Sequence, residues 1–490
     1  MILPPSRVCP SRKPWRRVWK PRRWNSSNRG ARFIAIPEAD KTAAEPAPLD
    51  LVGNLVAHWG KKQRWRAAYL RFWLGRLLIW VGAICVGLLA VLFAELSEAA
   101  VAAFRAIAEH AWWWPLLICP VGGAAVVWAT RRYFPGAEGS GIPQTIAEIH
   151  HDKHSPAGWR PMLSLRIAFG KIALGTAALF AGFSTGREGP MVQIGAAVMN
   201  SLHGRLPRRL NIQRRHLIVA GGAAGIAAAF NTPLAGIMFA IEELHRGLEQ
   251  RMSGLLIVAI VLAGVVSQAL LGDATYFGWV SYTGLKSHLQ IVWVLLIAVA
   301  CGLAGGAFAR LMLLSAASNG PFSGFRAAHP IRYAAVCGLL IALIGLIGDY
   351  QSFGTGYVET RDLFERDAQL PWHYGLDKFF ATLISYASGV PGGIFAPSLA
   401  IGAGIGNNIA LLLADQMSAG TVLVLCAAGF LAAVTQAPIT AFVIVMEMVS
   451  GYGIVIDLMI VALLSSAVSR GLCFPLYRTL AQRMLGSLPR

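Results

Sequence analysis

The amino-acid sequence predicts an all-α polytopic membrane protein, built from two inverted-topology repeats with tilted, discontinuous helices. Of its 490 residues, 56% are hydrophobic, 14% are charged and 52 are glycine, a composition too apolar for a soluble protein. Uncharged apolar runs at 77–94, 255–271 and 291–307 are about long enough to cross a bilayer. Other apolar runs, such as 192–202 and 394–413, are shorter or interrupted by Gly and Pro. Such segments indicate helices that stop partway through the membrane, as in transporter binding sites.

The first 70 residues or so are polar and are predicted to form a basic, disordered cytoplasmic tail. Residues 1–32 contain ten Lys or Arg, no acidic residue and three tryptophans, and they lack the apolar core of a signal peptide. This stretch could bind RNA or serve as a transit peptide. Contact with anionic lipid headgroups agrees better with the hydrophobic spans that follow. The net charge of +19 therefore indicates a membrane surface as the partner and no nucleic acid.

Basic residues flank the hydrophobic region at both ends. Six Lys or Arg between 61 and 76 precede the first apolar run, and Arg478, Arg483 and Arg490 follow the last one. Because cytoplasmic segments of membrane proteins collect Lys and Arg, both termini are predicted to be cytoplasmic.

An internal repeat is the most informative feature of the sequence. The pattern Gly-x-x-x-Pro-x-x-x-Ile-Gly-Ala-x-x-x-Asn at 186–200 recurs at 393–407. A second block at 223–242, which runs from Ala-Ala-Gly to a Pro followed nine residues later by Glu, recurs at 427–447. The shift is about 205 residues for both blocks, so a duplicated unit is indicated.

The duplication divides a predicted transport domain, 71–490, into halves at about 75–275 and 290–480. In the first half, the loop between the two blocks carries five arginines, whereas its counterpart at 414–420 has one charged residue, Asp415. Since basic loops stay on the cytoplasmic side, the two loops should face opposite sides. The repeat is therefore predicted to be inverted, with a site between the halves near the membrane midplane.

Three glycine-rich stretches, at 139–143, 186–190 and 392–397, each precede a predicted helix. Helix N-termini offer unpaired N–H groups and a positive dipole end, which attract anions, and Ser140 adds a hydroxyl donor. No acidic cluster accompanies the first and third stretches, and the seven cysteines are scattered without a Cys-x-x-Cys pair, which argues against a metal. The ligand that best fits these groups is a small anion held by N–H and O–H donors.

The second stretch also brings two full charges, Arg187 and Glu188, to what should be membrane depth. Ionisable residues at that depth are candidates for function by default. We expect Glu188 to stand at a helix start near the anion. A structural ion pair that caps the helix is the alternative.

These residues resemble the three signature motifs of the CLC chloride channels and transporters. The run Ala-Phe-Asn-Thr-Pro-Leu-Ala-Gly at 229–236, the pair Glu242-Glu243 and the Pro-Leu-Tyr at 475–477 are similar to the same family. The resemblance covers roughly residues 70 to 485. It implies a short prokaryotic type without C-terminal cystathionine-synthase-type domains, and a homodimer in the inner membrane of the cell.

The resemblance also implies a role for each site residue. Ser140 and Tyr477 would donate hydroxyls to chloride, and the backbone N–H groups of Ile394 and Phe395 would complete the site. Glu188 would be the gating glutamate, whose carboxylate takes the place of a chloride when ionised and swings away when protonated. The inner proton acceptor that marks exchangers of the family would be Glu243, with its neighbour Glu242 in a structural role.

The expected function is therefore exchange of chloride for protons, with no enzymatic activity and no cofactor. A passive chloride channel with the same site is the first alternative, and Glu243 favours exchange over it. A secondary transporter of another anion is a more distant alternative. Serine rather than proline at position 140 resembles chloride-preferring members over nitrate-preferring ones.

Other patterns have competing interpretations. Residues 182–186 read Gly-x-Ser-x-Gly, as in the nucleophile elbow of hydrolases, but that elbow follows a strand. Three histidines with Asp152 at 150–154 could bind a metal, although a solvated loop is the better interpretation. The sequence leaves open whether Lys171 reaches the membrane surface or is a buried structural cation.

Overall fold

The computed structural model describes residues 51–151, 161–207, 210, 212–245, 250–272, 276–278, 280, 288–320, 322–365 and 369–486. By internal contacts the chain divides into two units, Met1–Gln63 and Arg64–Arg490, and the features below belong to the second. Residues 1–50 of the predicted tail lie outside the described part of the chain. The first described helix begins at Leu51.

Eighteen α-helices make up the described chain, with single turns of 3₁₀- or π-helix between some of them. Their bounds are α1 Leu51–His110, α2 Trp114–Tyr133, α3 Ile142–His150, α4 Leu165–Phe180, α5 Glu188–Leu202, α6 Arg214–Phe230, α7 Pro233–Phe239, α8 Gln250–Leu271, α9 His288–Ala316, α10 Ser323–Ala328, α11 Pro330–Ile347, α12 Tyr357–Glu365, α13 Tyr374–Ser388, α14 Phe395–Leu412, α15 Ala419–Thr435, α16 Pro438–Met448, α17 Val455–Leu472 and α18 Leu476–Met484.

Seven of the described helices are long and apolar enough to cross a membrane. These spans are Phe72–His110, Trp114–Tyr133, Gly254–Leu271, Leu289–Ala316, Pro330–Ile347, Phe395–Leu412 and Tyr452–Leu472. The three uncharged runs identified in the sequence fall within the first, third and fourth spans. The run at 192–202 lies in a helix of 15 residues, too short to cross a bilayer unaided.

The run at 394–413, in contrast, contains one helix of 18 residues, α14, which starts where predicted and is not interrupted by its glycines. Its glycines permit close packing instead: a Cβ on Gly402 would lie 2.6 Å from the carbonyl oxygen of Cys426 on α15. The repeat-related Gly195 on α5 abuts the carbonyl of Gly221 on α6 in the same way. Small residues that bring helix backbones together are typical of packing within membranes.

Corresponding helices of the two halves end at a residue of the same backbone conformation, and the helices that follow them begin with the same residue type. Helix α6 ends before Asn231 and α15 ends before Gln436, and both residues have a left-handed backbone, with φ of 56° in each case. A proline then occupies the first turn of the next helix, Pro233 in α7 and Pro438 in α16. Proline suits this position because the first N–H groups of a helix have no partner within it.

Gly186 and Gly393, which are equivalent in the repeat, exchange two backbone hydrogen bonds at the centre of the molecule. The amide of Gly186 donates to the carbonyl of Gly393 at 2.8 Å, and the reverse bond measures 2.7 Å. The pair forms an antiparallel bridge. Equivalent residues that pair reciprocally in opposite directions lie on a local two-fold axis, as an inverted repeat requires.

A second pair of equivalent residues, Glu242 and Glu447, crosses between the halves. Glu242 accepts hydrogen bonds from Ile439 N at 3.3 Å and Thr440 N at 2.7 Å, in the first turn of α16. Glu447 accepts from Leu234 N at 3.1 Å and Ala235 N at 2.8 Å, in the first turn of α7. Each half thus caps a helix of the other. The structural role predicted for Glu242 is confirmed by these bonds.

Lys171 is buried and does not reach the membrane surface. Its ammonium group is fully buried and donates to the carbonyls of Ala137 at 2.9 Å and Gly139 at 2.7 Å. Lys378, at the equivalent position in the second half, is buried in the same way and donates to Ser352 O at 3.0 Å and Gly354 O at 2.8 Å. Lys171 is therefore a structural cation that fixes the loop before Ser140.

The hydrolase interpretation fails on structural context. The Gly-x-Ser-x-Gly run comes one residue after the end of helix α4. A nucleophile elbow instead comes directly after a strand. Ser184 is buried, and its hydroxyl pairs with that of Thr382 at 2.9 Å. Of the suggested metal ligands, Asp152 and His154 lie outside the described residues, while His150 turns its Nδ1 to the carbonyl of Ile146 at 2.9 Å.

Candidate functional site: three helix starts between the inverted halves

The three glycine-rich stretches meet at the centre of the protein. Gly139 N donates to Val390 O at 3.2 Å and Gly392 N donates to Gly139 O at 3.0 Å, which joins the first stretch to the third. The reciprocal bonds between Gly186 and Gly393 join the second stretch to the third. Helices α3, α5 and α14 begin directly after these contacts. The predicted convergence of the three helix starts is therefore confirmed.

Two buried hydroxyls face this meeting point. Ser140, on the first stretch, is 1% exposed, and Tyr477, in the first turn of α18, is 0% exposed. The Tyr477 hydroxyl lies close to Ser140, but within the described chain neither hydroxyl has a partner that satisfies hydrogen-bond geometry. Buried hydroxyls without partners are costly. Two such donors side by side suit a small acceptor held between them.

The start of α14 supplies backbone donors beside these hydroxyls. Ile394 is the residue before the helix and Phe395 is its first residue, and both are buried. The first N–H groups of a helix have no acceptor within it, and the nearest backbone bond in this turn is Ser398 N to Ile394 O at 2.9 Å. The aromatic ring of Phe395 stacks on that of Tyr477, which brings the start of α14 and the start of α18 into contact.

Glu188 opens helix α5 and is fully buried beside the second and third stretches. Its Oε1 accepts a hydrogen bond from the hydroxyl of Tyr276 at 3.4 Å, and its Oε2 has no partner among the described residues. The carboxylate is turned back towards Gly186 and interacts with the backbone amide of Ala396 in the first turn of α14. An acidic group thus already lies at the donors of that helix start.

Arg187 forms the ion pair that the alternative interpretation expected, but its partner is on another helix. Its guanidinium donates to Glu98 Oε1 on α1 at 2.9 Å, while Glu98 remains half exposed. Arg187 and Glu98 line a cavity of about 280 Å³ together with Arg105 and Tyr357. Arg187, one of the residues that line this cavity, directly precedes Glu188 in the sequence.

A second cavity reaches the site at Ser140. This larger cavity, of about 700 Å³, is lined by Ser140 and by residues of several helices, among them Arg131, Arg326 and Arg483. The side chain of Glu138 is also in its wall. Three arginines against one carboxylate give this cavity a positive balance, which favours anions.

Glu243 lies away from the anion donors, in a single turn of π-helix over Ala240–Leu244. It is 6% exposed and lines a third cavity, of about 370 Å³, with His150 and Arg478. Arg478, which lines the same cavity, directly follows Tyr477 in the sequence. π-Helical turns are frequent at functional sites.

The site also contains residues that the sequence analysis missed. Tyr276 lies between α8 and α9, outside every motif, and Glu98 lies within the long helix α1. Neither position belongs to the two sequence blocks that recur in the halves. Glu98 is one of three acids in the second half of α1, with Glu95 and Glu109, so the sequence did not single it out, and nothing marked Tyr276.

Fold and site together define a polytopic membrane transport protein with donor groups for a small anion between two inverted halves. Comparison with known proteins agrees with this class. A model of the family described as "Voltage gated chloride channel" matches residues 122–470, and this chain belongs to that family, the CLC channels and transporters. The recognition made from the motifs is confirmed.

Two curated relatives carry the name H(+)/Cl(−) exchange transporter ClcA. The protein from Klebsiella pneumoniae subsp. pneumoniae is 31% identical over 408 residues, which cover 79% of this chain and 82% of the relative. The protein from Salmonella arizonae is 30% identical over 399 residues, which cover 77% and 81%.

Solved structures show the same fold. A slow cyanobacterial Cl⁻/H⁺ antiporter superimposes with a TM-score of 0.71 at 25% identity, covering 84% of this chain and 98% of the other. A CLC-type fluoride/proton antiporter superimposes with a TM-score of 0.68 at 22% identity, covering 81% and 95%. The predicted fold class is confirmed by these likenesses.

Proposed function

We propose that this protein exchanges chloride for protons across a membrane. The observation that carries the proposal is the position of Glu188, whose fully buried carboxylate is turned back against Gly186, where the backbone amide of Ala396 in the first turn of α14 also lies. A carboxylate and a chloride are both anions that such donors attract. If both use these donors, each displaces the other, and protonation of the carboxylate controls the exchange.

In this proposal chloride is held by the hydroxyls of Ser140 and Tyr477 and by the amides of Ile394 and Phe395. All four residues are buried, so the anion would be stripped of water and would rely on these donors. Glu188 acts as the gate, and chloride reaches the donors through the cavity of about 700 Å³ that is lined by Ser140 and three arginines.

Protons follow a different route from chloride. Glu243 is the inner proton acceptor, and it lines a cavity together with His150 and Arg478. Protons then pass from Glu243 to Glu188. The names and titles of the relatives, exchange transporter and antiporter, support exchange over passive conduction.

The remaining assignments follow the family resemblance. The protein acts as a homodimer with one pathway in each subunit, and it lies in the inner membrane of the cell. Residues 71–490 form the transport domain, both termini are cytoplasmic, and the basic tail at 1–70 contacts lipid headgroups. No cofactor takes part, since chloride and protons are the transported substrates.

Proton movement driven by chloride tests the proposal. Purified protein in liposomes is given an inward chloride gradient at equal pH on both sides, and external pH is followed. Exchange predicts that protons leave the liposomes as chloride enters, and that a proton ionophore removes the pH change. A chloride flux that leaves pH unchanged, with the membrane potential clamped by valinomycin, would identify a channel and overturn the proposal.

A further inference from the structure

Among the described residues, Tyr276 is the one whose side-chain hydroxyl donates a hydrogen bond to Glu188. It lies in the described part of the connection between α8 and α9, and 9% of its surface is exposed. The distance from its hydroxyl to Glu188 Oε1 is 3.4 Å, long for a hydrogen bond between oxygens. The contact is therefore weak enough to break and reform as the carboxylate moves.

The ring of Tyr276 is held by several neighbours that do not depend on its hydroxyl. Phe230 packs edge-on with ring centroids 5.6 Å apart, and Tyr357 does the same at 4.8 Å. The guanidinium carbon of Arg187 lies over the ring, 5.7 Å from its centroid. Since these contacts fix the ring, the hydroxyl is directed to Glu188 whether or not the hydrogen bond is made.

We propose that Tyr276 is a positioning residue that retains the ionised Glu188 carboxylate at its buried site and so sets how readily chloride displaces it. The inference rests on the proposed function, because it assumes that carboxylate and chloride compete. It adds a residue outside the signature motifs to the machinery of the gate. The charged and titratable groups around the Tyr276 hydroxyl are Arg187, Glu188, Tyr357 and Glu98.

Loss of the Tyr276 hydroxyl should change the chloride affinity in a defined direction and by a defined amount. A hydroxyl that donates to the carboxylate stabilises the state in which Glu188 occupies the site, and it does nothing directly for chloride. Tyr276→Phe removes the donor and keeps the ring packing. A net contribution of about 1 kcal/mol for such a bond corresponds to chloride binding that is roughly fivefold tighter in the variant.

The test is a double-mutant cycle on purified protein with Tyr276→Phe, Glu188→Gln and the double variant. Chloride affinity is measured by isothermal titration calorimetry at a pH above neutrality, where free carboxylates are ionised. We expect Tyr276→Phe to tighten binding about fivefold in the wild-type background and to have no effect in Glu188→Gln. Tyr357→Phe is the matched control, because it removes a hydroxyl of the same aromatic cluster whose interaction is with Arg361.

Two results would overturn the inference. Unchanged chloride affinity in Tyr276→Phe would mean that the hydroxyl does not retain the carboxylate. An equal shift in the wild-type and Glu188→Gln backgrounds would mean that Tyr276 acts on chloride without Glu188. The proposed function fails separately, if Glu188→Gln by itself leaves proton coupling intact in liposomes.

Discussion

Phe395 and Tyr477 stack with ring centroids 6.1 Å apart and ring planes inclined by only 6°. The stack joins the first residue of α14 to the first turn of α18, two helix starts that come from distant parts of the chain. It fixes the direction of the Tyr477 hydroxyl independently of any bound ion. The donors around the proposed chloride site are therefore preorganised by packing, which reduces what binding must order.

Removal of both hydroxyl donors should weaken chloride binding. Tyr477→Phe keeps the stack on Phe395 and loses only the hydroxyl, and Ser140→Ala loses the second donor. Hydrogen bonds to charged groups contribute about 1.5–3 kcal/mol each, so the double variant should bind chloride at least tenfold more weakly by calorimetry. Unaltered affinity would place the anion elsewhere.

Substitutions of the neighbouring acids Glu242 and Glu243 should have different effects: one should change the stability of the protein and the other its proton coupling. Glu243→Gln should suppress proton transport and spare chloride binding, because Gln cannot carry the proton. Glu242→Gln should retain coupling but lower the melting temperature, since it weakens the cap on α16 that Glu242 provides. Both variants are measured by chloride-driven proton flux and by thermal unfolding. If Glu243→Gln remained fully coupled, protons would have to enter by another route.

The buried lysines offer a pair of matched substitutions. Lys171→Met and Lys378→Met each leave buried carbonyls without a donor, at a cost of about 1–3 kcal/mol per carbonyl, so both should melt at lower temperature. Only Lys171→Met should also weaken chloride binding, because Lys171 holds the carbonyl of Gly139 next to Ser140. Equal effects of the two variants on chloride affinity would show that the first loop does not position the serine.

The reciprocal caps should contribute to the association of the two halves. Glu447→Gln weakens the acceptor for the amides of Leu234 and Ala235, as Glu242→Gln does for α16. Each should lower stability by about 0.5–2 kcal/mol. The two caps share no residue, so the double variant should lose close to the sum of both. Thermal unfolding of the four proteins checks this, and a strongly non-additive loss would mean that the caps are coupled through α7 and α16.

Much of the architecture followed from the sequence because its two halves repeat. Gly186 and Gly393 were recognisable as equivalents, and an opposite orientation of the halves could be inferred from the charge of two loops. Glu242 and Glu447 were also aligned in advance, although their crossing from one half to the other was not. Residue spacing records equivalence within the repeat, whereas the contact between equivalents depends on how the halves pack.

The parts that could not be predicted depend on tertiary contacts outside the repeat. Tyr276 reaches Glu188 from a connection with no motif, and the ion pair of Arg187 involves Glu98, a residue 89 positions earlier in the chain. Lys171 could not be assigned because a lysine in an apolar helix looks the same whether it reaches the surface or is buried. The start of α14 was predicted, but its uninterrupted length was not, because glycines that break a helix and glycines that allow close packing look alike in the sequence.

Glu188 is the point at which chloride and proton movement meet in this account, so the reversal potential with and without its carboxylate is the most direct measurement. Wild-type protein in a planar bilayer, under opposed chloride and proton gradients, should reverse away from the chloride equilibrium potential, in the direction that coupled protons require. Glu188→Gln should conduct chloride and reverse at the chloride equilibrium potential. A wild-type protein that already reverses there, or a Glu188→Gln variant that keeps the displaced value, would contradict the account.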